Sequence, residues 1–196
     1  MTPTAEKWEA RYKSGEMGWD RGAVSPALEQ WLESGVLEPC RILIPGCGRG
    51  HEVPRLAALG FDVTAIDIAP SAVEHVTQAL ADKGLTAEIV LGDVLDFEPA
   101  EPFDAVYEQT CLCAMSPDSW PAYEARLHRW LKPGGILAAL FMQTGEAGGP
   151  PYHCELSVMR ELFDYVRWAW PWAEGDLVRI SHPTGLHEFA LPLMRR

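Results

Sequence analysis

Three glycines in five residues, Gly46, Gly48 and Gly50, follow directly on the short apolar run RILIP at 41–45. A chain that leaves a buried strand through such a loop, and then enters EVPRLAALG, has few folds open to it. Glycine admits backbone angles that other residues avoid. It also lacks a Cβ, so a ligand can lie against the main chain. The helix behind the loop offers free N–H groups at its start. In an open α/β sheet, ligands bind at this place, beyond the carboxyl ends of the strands.

The rest of the chain alternates in the same way. Strands are expected at 41–45, 61–67 (FDVTAID), 87–93 (AEIVLGD), 103–108 (FDAVYE) and 136–142 (ILAALFM). Helices are expected at 52–60, from Pro70 to Gly84, at 116–131 and at 155–163. Pro70 suits a first helical position, and Val73, Val76 and Leu80 share one face. Ser116 can cap the third helix, with Trp120, Tyr123, Leu127 and Trp130 as its apolar stripe. KPGG at 132–135 is expected to turn the chain, and VRWAW (166–170) with LHEFALPLM (186–194) to close as a hairpin. Alternation of this kind implies a parallel sheet covered on both faces, with right-handed crossovers. The expected fold is therefore α/β: a doubly wound, mostly parallel seven-stranded sheet with helices on both faces and a C-terminal antiparallel hairpin. A length of 196 residues suits one domain, 1–196, with 1–40 as an N-terminal helical cap.

Charge narrows the partners. Sixteen basic against 28 acidic residues give a net charge of −12. That disfavours nucleic acid and anionic membrane surfaces. No apolar stretch reaches the ~18 residues of a spanning helix. MTPTAEKWEARYK at the start lacks the apolar core of a signal peptide. Five cysteines, an odd count, read as free thiols in a reducing compartment. The spacing in CLC (111–113) is wrong for zinc, and no second half of a metal site is evident. The expectation is a cytoplasmic monomer that acts on a small molecule and holds no metal.

The spacing of the glycines selects among ligands. A dinucleotide fingerprint reads G-x-G-x-x-G. Here the glycines follow G-x-G-x-G, and the third fingerprint position is His51. That withholds the close helix–pyrophosphate packing and suits a nucleoside cofactor without a pyrophosphate. Asp67 ends the second strand roughly 20 residues after the loop, where a carboxylate can bind ribose hydroxyls. Asp93 in LGDV follows the third strand, where an adenine amino group can be read.

GCGRG, AID, GDV and LKPGG, in this order and spacing, resemble the class I S-adenosylmethionine-dependent methyltransferases, whose fold is Rossmann-like. More narrowly, the chain is similar to the thiopurine and thiol/halide S-methyltransferase family. WEARYKSGEMGWDRGAVSPAL (8–28), LIPGCGRGHEV and GGPPY (148–152) carry that likeness. The resemblance implies S-adenosylmethionine as cofactor. It implies that Trp8, Tyr12 and Trp19 fold over it as a lid and that Gly46, Gly48 and their neighbours line its methionine part. Asp67 would hold the ribose, Asp93 and Val94 would flank the adenine, and Gln109 would lie near the methyl group. Tyr12 stands where halide-type members have tryptophan. Gln109 stands where thiopurine-type members have arginine and halide-type members tyrosine. Aromatic faces attract cations such as a sulfonium, which gives the lead segment a physical rationale of its own.

Candidates for an acid or base are scattered. His51, His128, His153 and His187 are each eligible. His128 falls on a helix face that reads as solvated, and His153 lies in the loop expected to border the acceptor. Asp20 is either a loop cap or a polariser of a substrate proton. Cys111 and Cys113 read as small apolar wall residues, because methyl transfer is normally direct. GPPY differs from the Asn/Asp-Pro-Pro-Tyr motif of nitrogen methylation, since Gly149 replaces the polar residue. No histidine–carboxylate pair is evident at the strand ends. The expected acceptor is therefore a thiol or another soft nucleophile that needs no strong base. The alternatives are O- or N-methylation of another small molecule, or a sensor that binds the cofactor without turnover.

Overall fold

A computed structural model of the chain describes residues 2–171 and 177–196. It contains two compact units, residues 1–97 and 98–196.

The first unit opens with two short helices, α1 (Pro3–Ser14) and α2 (Pro26–Glu33). Thr2 and Ser25 cap them, each accepting a backbone N–H, from Ala5 and Ala27. Three parallel strands follow, β1 (Arg41–Pro45), β2 (Asp62–Asp67) and β3 (Glu88–Leu91), in spatial order β3–β2–β1. Helix α3 (Glu52–Ala58) joins the first pair and α4 (Pro70–Asp82) the second. This order is half of a doubly wound sheet. Ile42, Leu43, Ile44, Val63, Ala65 and Ile66 are all buried, as are Ala72, Val76 and Leu80 on α4. The registers pair Pro45 with Ile66 and Asp67 with Leu91. Residues that follow these strands thus gather at one carboxyl edge.

In the second unit, β4 (Phe103–Gln109) runs parallel to β5 (Leu131–Gln143), and β8 (His187–Arg195) pairs antiparallel with β5 from Ile136↔Met194 to Gln143↔His187. Helix α5 (Trp120–Trp130) precedes β5, and α6 (Leu156–Leu162) follows it. The expected stripe is buried: Trp120, Tyr123, Leu127 and Trp130.

Two expectations change here. KPGG does not precede the fifth strand but lies within it. Phe103 pairs with Leu131 and Ala105 with Ile136, so Lys132–Gly135 bulge out between the two pairs. Gly135 is required, because a Cβ there would sit 2.9 Å from the Lys132 carbonyl oxygen and 3.0 Å from that of Asp104. The hairpin partner of β8 is not 166–170 but an unanticipated eighth strand, β7 (Val178–Ser181). The VRWAW segment contributes only β6 (Trp168–Ala169), paired at the far end of β8. Its tryptophans serve the core instead. The Trp168 indole donates to Glu124, and the Trp170 indole to the Phe163 carbonyl at 2.7 Å.

Among the described residues, no helix is long and apolar enough to cross a membrane.

Candidate functional site

The carboxyl edge of the first unit is built from backbone. Gly46, Gly48 and Gly50 all have φ between +58° and +59°, a conformation that L side chains rarely adopt. The Gly48 N–H points at the Asp67 carboxylate, 2.8 Å from Oδ2, while Oδ1 accepts the Ala69 N–H at 2.9 Å. Asp67 is buried, and burial outweighs these N–H bonds to raise its pKa above the ordinary carboxylate value. The Ile68 N–H also acts on this carboxylate. Asp93 lies half-buried after β3, where its Oδ1 accepts the Leu95 N–H at 2.9 Å, and Val94 beside it is buried.

The aromatic lead folds onto this loop. A Cβ placed on Gly48 would lie 3.3 Å from the Tyr12 hydroxyl and 3.7 Å from the Trp19 indole nitrogen. Trp8 and Trp19 meet edge to face with centroids 5.3 Å apart, and Tyr12 and Trp19 at 5.5 Å. The three rings are half-buried, and none belongs to the core. Burial and then the Asp67 charge push the Tyr12 phenol far up, so it stays un-ionised. Arg11, which sequence reading passed over, stacks its guanidinium on Trp8 (5.3 Å) and Trp19 (5.4 Å).

Three polar ties fix the lead. Glu9 accepts the Ser71 N–H (3.0 Å) and hydroxyl (2.7 Å) at the start of α4. Glu52 accepts the Ser25 N–H at 3.0 Å and is itself buried. Asp20 sits 2.7 Å from His51 Nε2 and 3.3 Å from Arg49 Nη1, and accepts the Gly22 N–H at 2.8 Å. Burial works against the Asp20 carboxylate, but Gly22, His51 and Arg49 prevail and hold its pKa low. A histidine–carboxylate pair therefore does exist at the strand ends, against the sequence expectation. The residues stand 31 apart in the chain, and only the fold brings them together.

The second unit carries the remaining candidates. The Tyr107 hydroxyl donates to Gln109 Oε1 at 2.8 Å, and Gln109 Nε2 donates to Glu188 Oε2 at 3.4 Å. Gln109 is half-buried, whereas Glu188 is 0% and Glu108 1% exposed. Just past β4, Thr110 has φ +61°, alone among the described non-glycine residues in being positive. This sharp turn brings the Leu112 N–H within 2.7 Å of Glu108 Oε1, while Oε2 has no hydrogen-bond partner among the described residues. Burial, with the charge of Glu188, pushes Glu108 up to about 8 despite the Leu112 N–H. Sequence reading missed both glutamates. An acidic residue inside a strand pattern gives no sign that its side chain is buried.

Three other expectations meet the structure here. His153 Nδ1 accepts the Thr144 and Gly145 N–H groups at 3.1 and 3.3 Å, which leaves Nε2 as the protonated donor nitrogen rather than a proton acceptor. His128 is half-buried rather than solvated, with its ring edge-on to Trp168 at 5.4 Å. Burial pushes its pKa down. Cys111, Cys113 and Cys154 are buried thiols. Burial and the neighbouring acids raise Cys113 and Cys154 far above the ordinary thiol range, so both stay protonated.

Comparison with known proteins identifies the family. Residues 3–174 match the family described as Thiopurine S-methyltransferase. The chain is 35% identical over 153 residues to the Probable thiol methyltransferase 2 of Arabidopsis thaliana, covering 76% of this chain and 68% of that one. It is 31% identical over 158 residues to the Thiocyanate methyltransferase 1 of Brassica oleracea, covering 79% and 70%. Its fold is like that of the 1,6-didemethyltoxoflavin-N1-methyltransferase of Burkholderia thailandensis, solved with S-adenosylhomocysteine, at TM-score 0.77 and 22% identity over 97% of this chain and 86% of that one. The chain belongs to the thiopurine S-methyltransferase family, and it is a Rossmann-like, S-adenosylmethionine-dependent methyltransferase of small molecules.

Proposed function

We propose that the protein, acting as a single domain and a cytoplasmic monomer, methylates the sulfur of a small thiol or a comparable soft nucleophile. Nucleic acid is not its substrate. The observation that carries the reading is the aromatic lead held against the glycine loop, with Tyr12 and Trp19 within van der Waals reach of where a Cβ on Gly48 would stand. A cation-bearing nucleoside fits such surroundings. Glycine backbone lets it approach, a carboxylate stands at the end of β2, and aromatic rings face the loop.

In this reading Gly46 and Gly48 line the methionine part, and Trp8, Tyr12 and Trp19 cover it and exclude water. Asp67, at the end of β2, takes the ribose hydroxyls. Asp93 and Val94 border the adenine, and Gln109 borders the methyl group and the acceptor. Asp20 positions the lid through His51 and Arg49; it does not polarise the substrate. When bound, S-adenosylmethionine supplies the electrophilic methyl group. The chain's contribution is alignment and enclosure.

The test is formation of S-adenosylhomocysteine with a panel of small thiols and matched alcohols. Thiol turnover with little alcohol turnover is expected. Efficient methylation of the alcohols would remove the soft-nucleophile reading. Tight cofactor binding without turnover of any acceptor would favour a sensor.

A further inference from the structure

We propose that His153, His187 and Arg179 form a seat for a carboxylate on the acceptor, so that the enzyme prefers small thiols that carry an acid group. The inference rests on the reading above that the acceptor is a small thiol.

The strand registers of the second unit gather these side chains. Gln143, at the end of β5, stands opposite His187, at the start of β8. Opposed residues point to the same face of a sheet. The Gln143 amide donates to the Cys154 carbonyl at 2.7 Å, which brings the segment carrying His153 to that side chain. The Thr144 and Gly145 N–H groups hold the His153 ring there. Arg179, on β7, stands opposite Phe189. Phe189 lies two residues from His187 and so shares its face. Their rings meet edge to face at 5.1 Å, and Arg179 Nη2 lies 3.3 Å from His187 Nδ1. The two histidines are near enough for a charge on His153 to act on His187.

The placement of hydrogens sets what the seat presents. A guanidinium only donates, so His187 Nδ1 accepts and its Nε2 carries the hydrogen. Two backbone N–H groups select the same tautomer of His153. Two imidazole N–H groups and one guanidinium are thus offered together. Arg49, Arg55, Arg126, Arg129 and Arg167 each pair with an acid. Arg179 instead meets an imidazole, and no carboxylate partners it among the described residues. In a chain of net charge −12, a cation kept clear of acids and set between N–H donors suits a carboxylate from outside.

The seat also stands where the far end of an acceptor would lie. Gln109 pairs with Leu140, and Gln143 is three residues further along β5. That is about 10 Å at the rise of a strand. Gln109 turns toward Glu188, which stands opposite Met142, so it takes the other face of the sheet. A thiol whose sulfur borders Gln109 would therefore cross the strand ends to reach His187 and Arg179.

The carboxylate makes and breaks no bond. The thiol loses its proton to water, and a lone pair on the thiolate forms the new S–CH3 bond. The bond from methyl to the sulfonium sulfur breaks, and its electron pair stays on that sulfur as a thioether. A cationic seat nearby favours the thiolate rather than opposing it.

The experiment compares kcat/KM at pH 7.5 for 3-mercaptopropionate and 4-mercaptobenzoate, each against its neutral primary amide, by S-adenosylhomocysteine formed. Wild type, Arg179→Gln and Arg179→Lys are compared as full chains. In the wild type the better-fitting acid should exceed its amide by ~10-fold or more, as a charge-assisted hydrogen bond allows. Arg179→Gln should bring that ratio close to one, and Arg179→Lys should restore part of it. Benzoate should inhibit competitively with the thiol, and benzamide should not. If Arg179→Gln does not fold, the wild-type ratio and the benzoate competition decide. Acids no better than their amides, or a ratio unmoved in folded Arg179→Gln, overturn the seat. Turnover of none of the four thiols overturns the proposed function along with it, whereas turnover without preference for the acids overturns only the seat.

Discussion

The two units of the chain bury acidic side chains to different ends. In the first, Glu9, Glu52 and Asp67 are buried, Asp20 nearly so, and each accepts at least one backbone N–H: from Ser71, Ser25, Gly48 with Ala69, and Gly22. These donors belong to helix starts, the glycine loop and the lead. The acids therefore hold main chain in place, and the bonds offset part of their desolvation. In the second unit Glu124 is neutralised by Arg167 at 2.8 Å and the Trp168 indole. Glu108 accepts the Leu112 N–H on Oε1 and also feels the Cys111 N–H, and Glu188 accepts from the Gln109 amide. The first unit uses carboxylates to shape backbone. The second buries Glu108 with one oxygen unpartnered among the described residues, and burial with the charge of Glu188 keeps its proton on through neutrality.

The largest expected effect tests that contrast through stability. Glu108 has an ordinary carboxyl value of 4.5 when unfolded and about 8 when folded. Below the lower value both states hold the proton, and the group contributes no pH dependence. Between the two, only the native state keeps it, so stability falls as pH rises through that window. Glu108→Gln preserves an oxygen for the Leu112 N–H and removes the titration. Its stability advantage over wild type should be small near pH 4, grow through neutrality and level off above about 8, reaching a few kcal/mol, as an upper bound of ~1.4 kcal/mol per pKa unit implies. Urea unfolding at pH 4, 6 and 8 measures it. A variant no more stable than wild type at pH 8 would place Glu108 with the backbone-holding acids of the first unit.

On the first unit's side, Asp67→Ala should weaken S-adenosylhomocysteine binding by ~1.5–3 kcal/mol, the range for losing a charged hydrogen-bond partner. Calorimetry on folded protein checks this, and unchanged affinity would cancel the ribose role. Gly50→Ala comes next. At φ +59° its Cβ would stand 2.5 Å from Val76 Cγ2. Strain and overpacking together should cost ~1–3 kcal/mol in thermal or urea unfolding. A neutral result would show that α4 yields easily beneath the loop.

What was legible in the sequence follows the same divide. The glycine loop, Asp67 and Asp93 stand at strand ends fixed by hydrophobic periodicity, so local pattern locates them. The aromatic lead was legible because three rings in a polar segment need something to cover. The Asp20–His51 contact was not, since nothing local couples a turn residue to a helix start 31 positions on. Glu108 and Glu188 were hidden for a related reason: a strand pattern tells which face a residue takes, not whether that face is wet. The missed strand β7 lies in VRIS, too short and too mixed in polarity to read as a strand until β8 is there to pair with it.

The smallest expected effect separates the two roles open to Asp20. Its carboxylate is already engaged by His51, Arg49 and the Gly22 N–H. A group so occupied holds the Trp19 turn against the loop and has little left for a substrate proton. Asp20→Asn retains one oxygen, which can still serve His51 and Gly22, and loses the charge and the second oxygen that attract Arg49, an exchange worth ~0.5–1 kcal/mol for a partly exposed pair. Asp20→Ala loses all three contacts and should cost roughly 1–2 kcal/mol. For a positioning residue these losses appear in cofactor affinity and in the KM for S-adenosylmethionine, and the asparagine variant recovers most of what alanine loses. At saturating cofactor, kcat toward a thiol should stay within about twofold of wild type, because binding lost equally in ground and transition states leaves kcat alone. A polariser of the acceptor's proton would behave in the opposite way. Asparagine would be as damaging as alanine, kcat would fall at saturation, and the KM for the cofactor would hold.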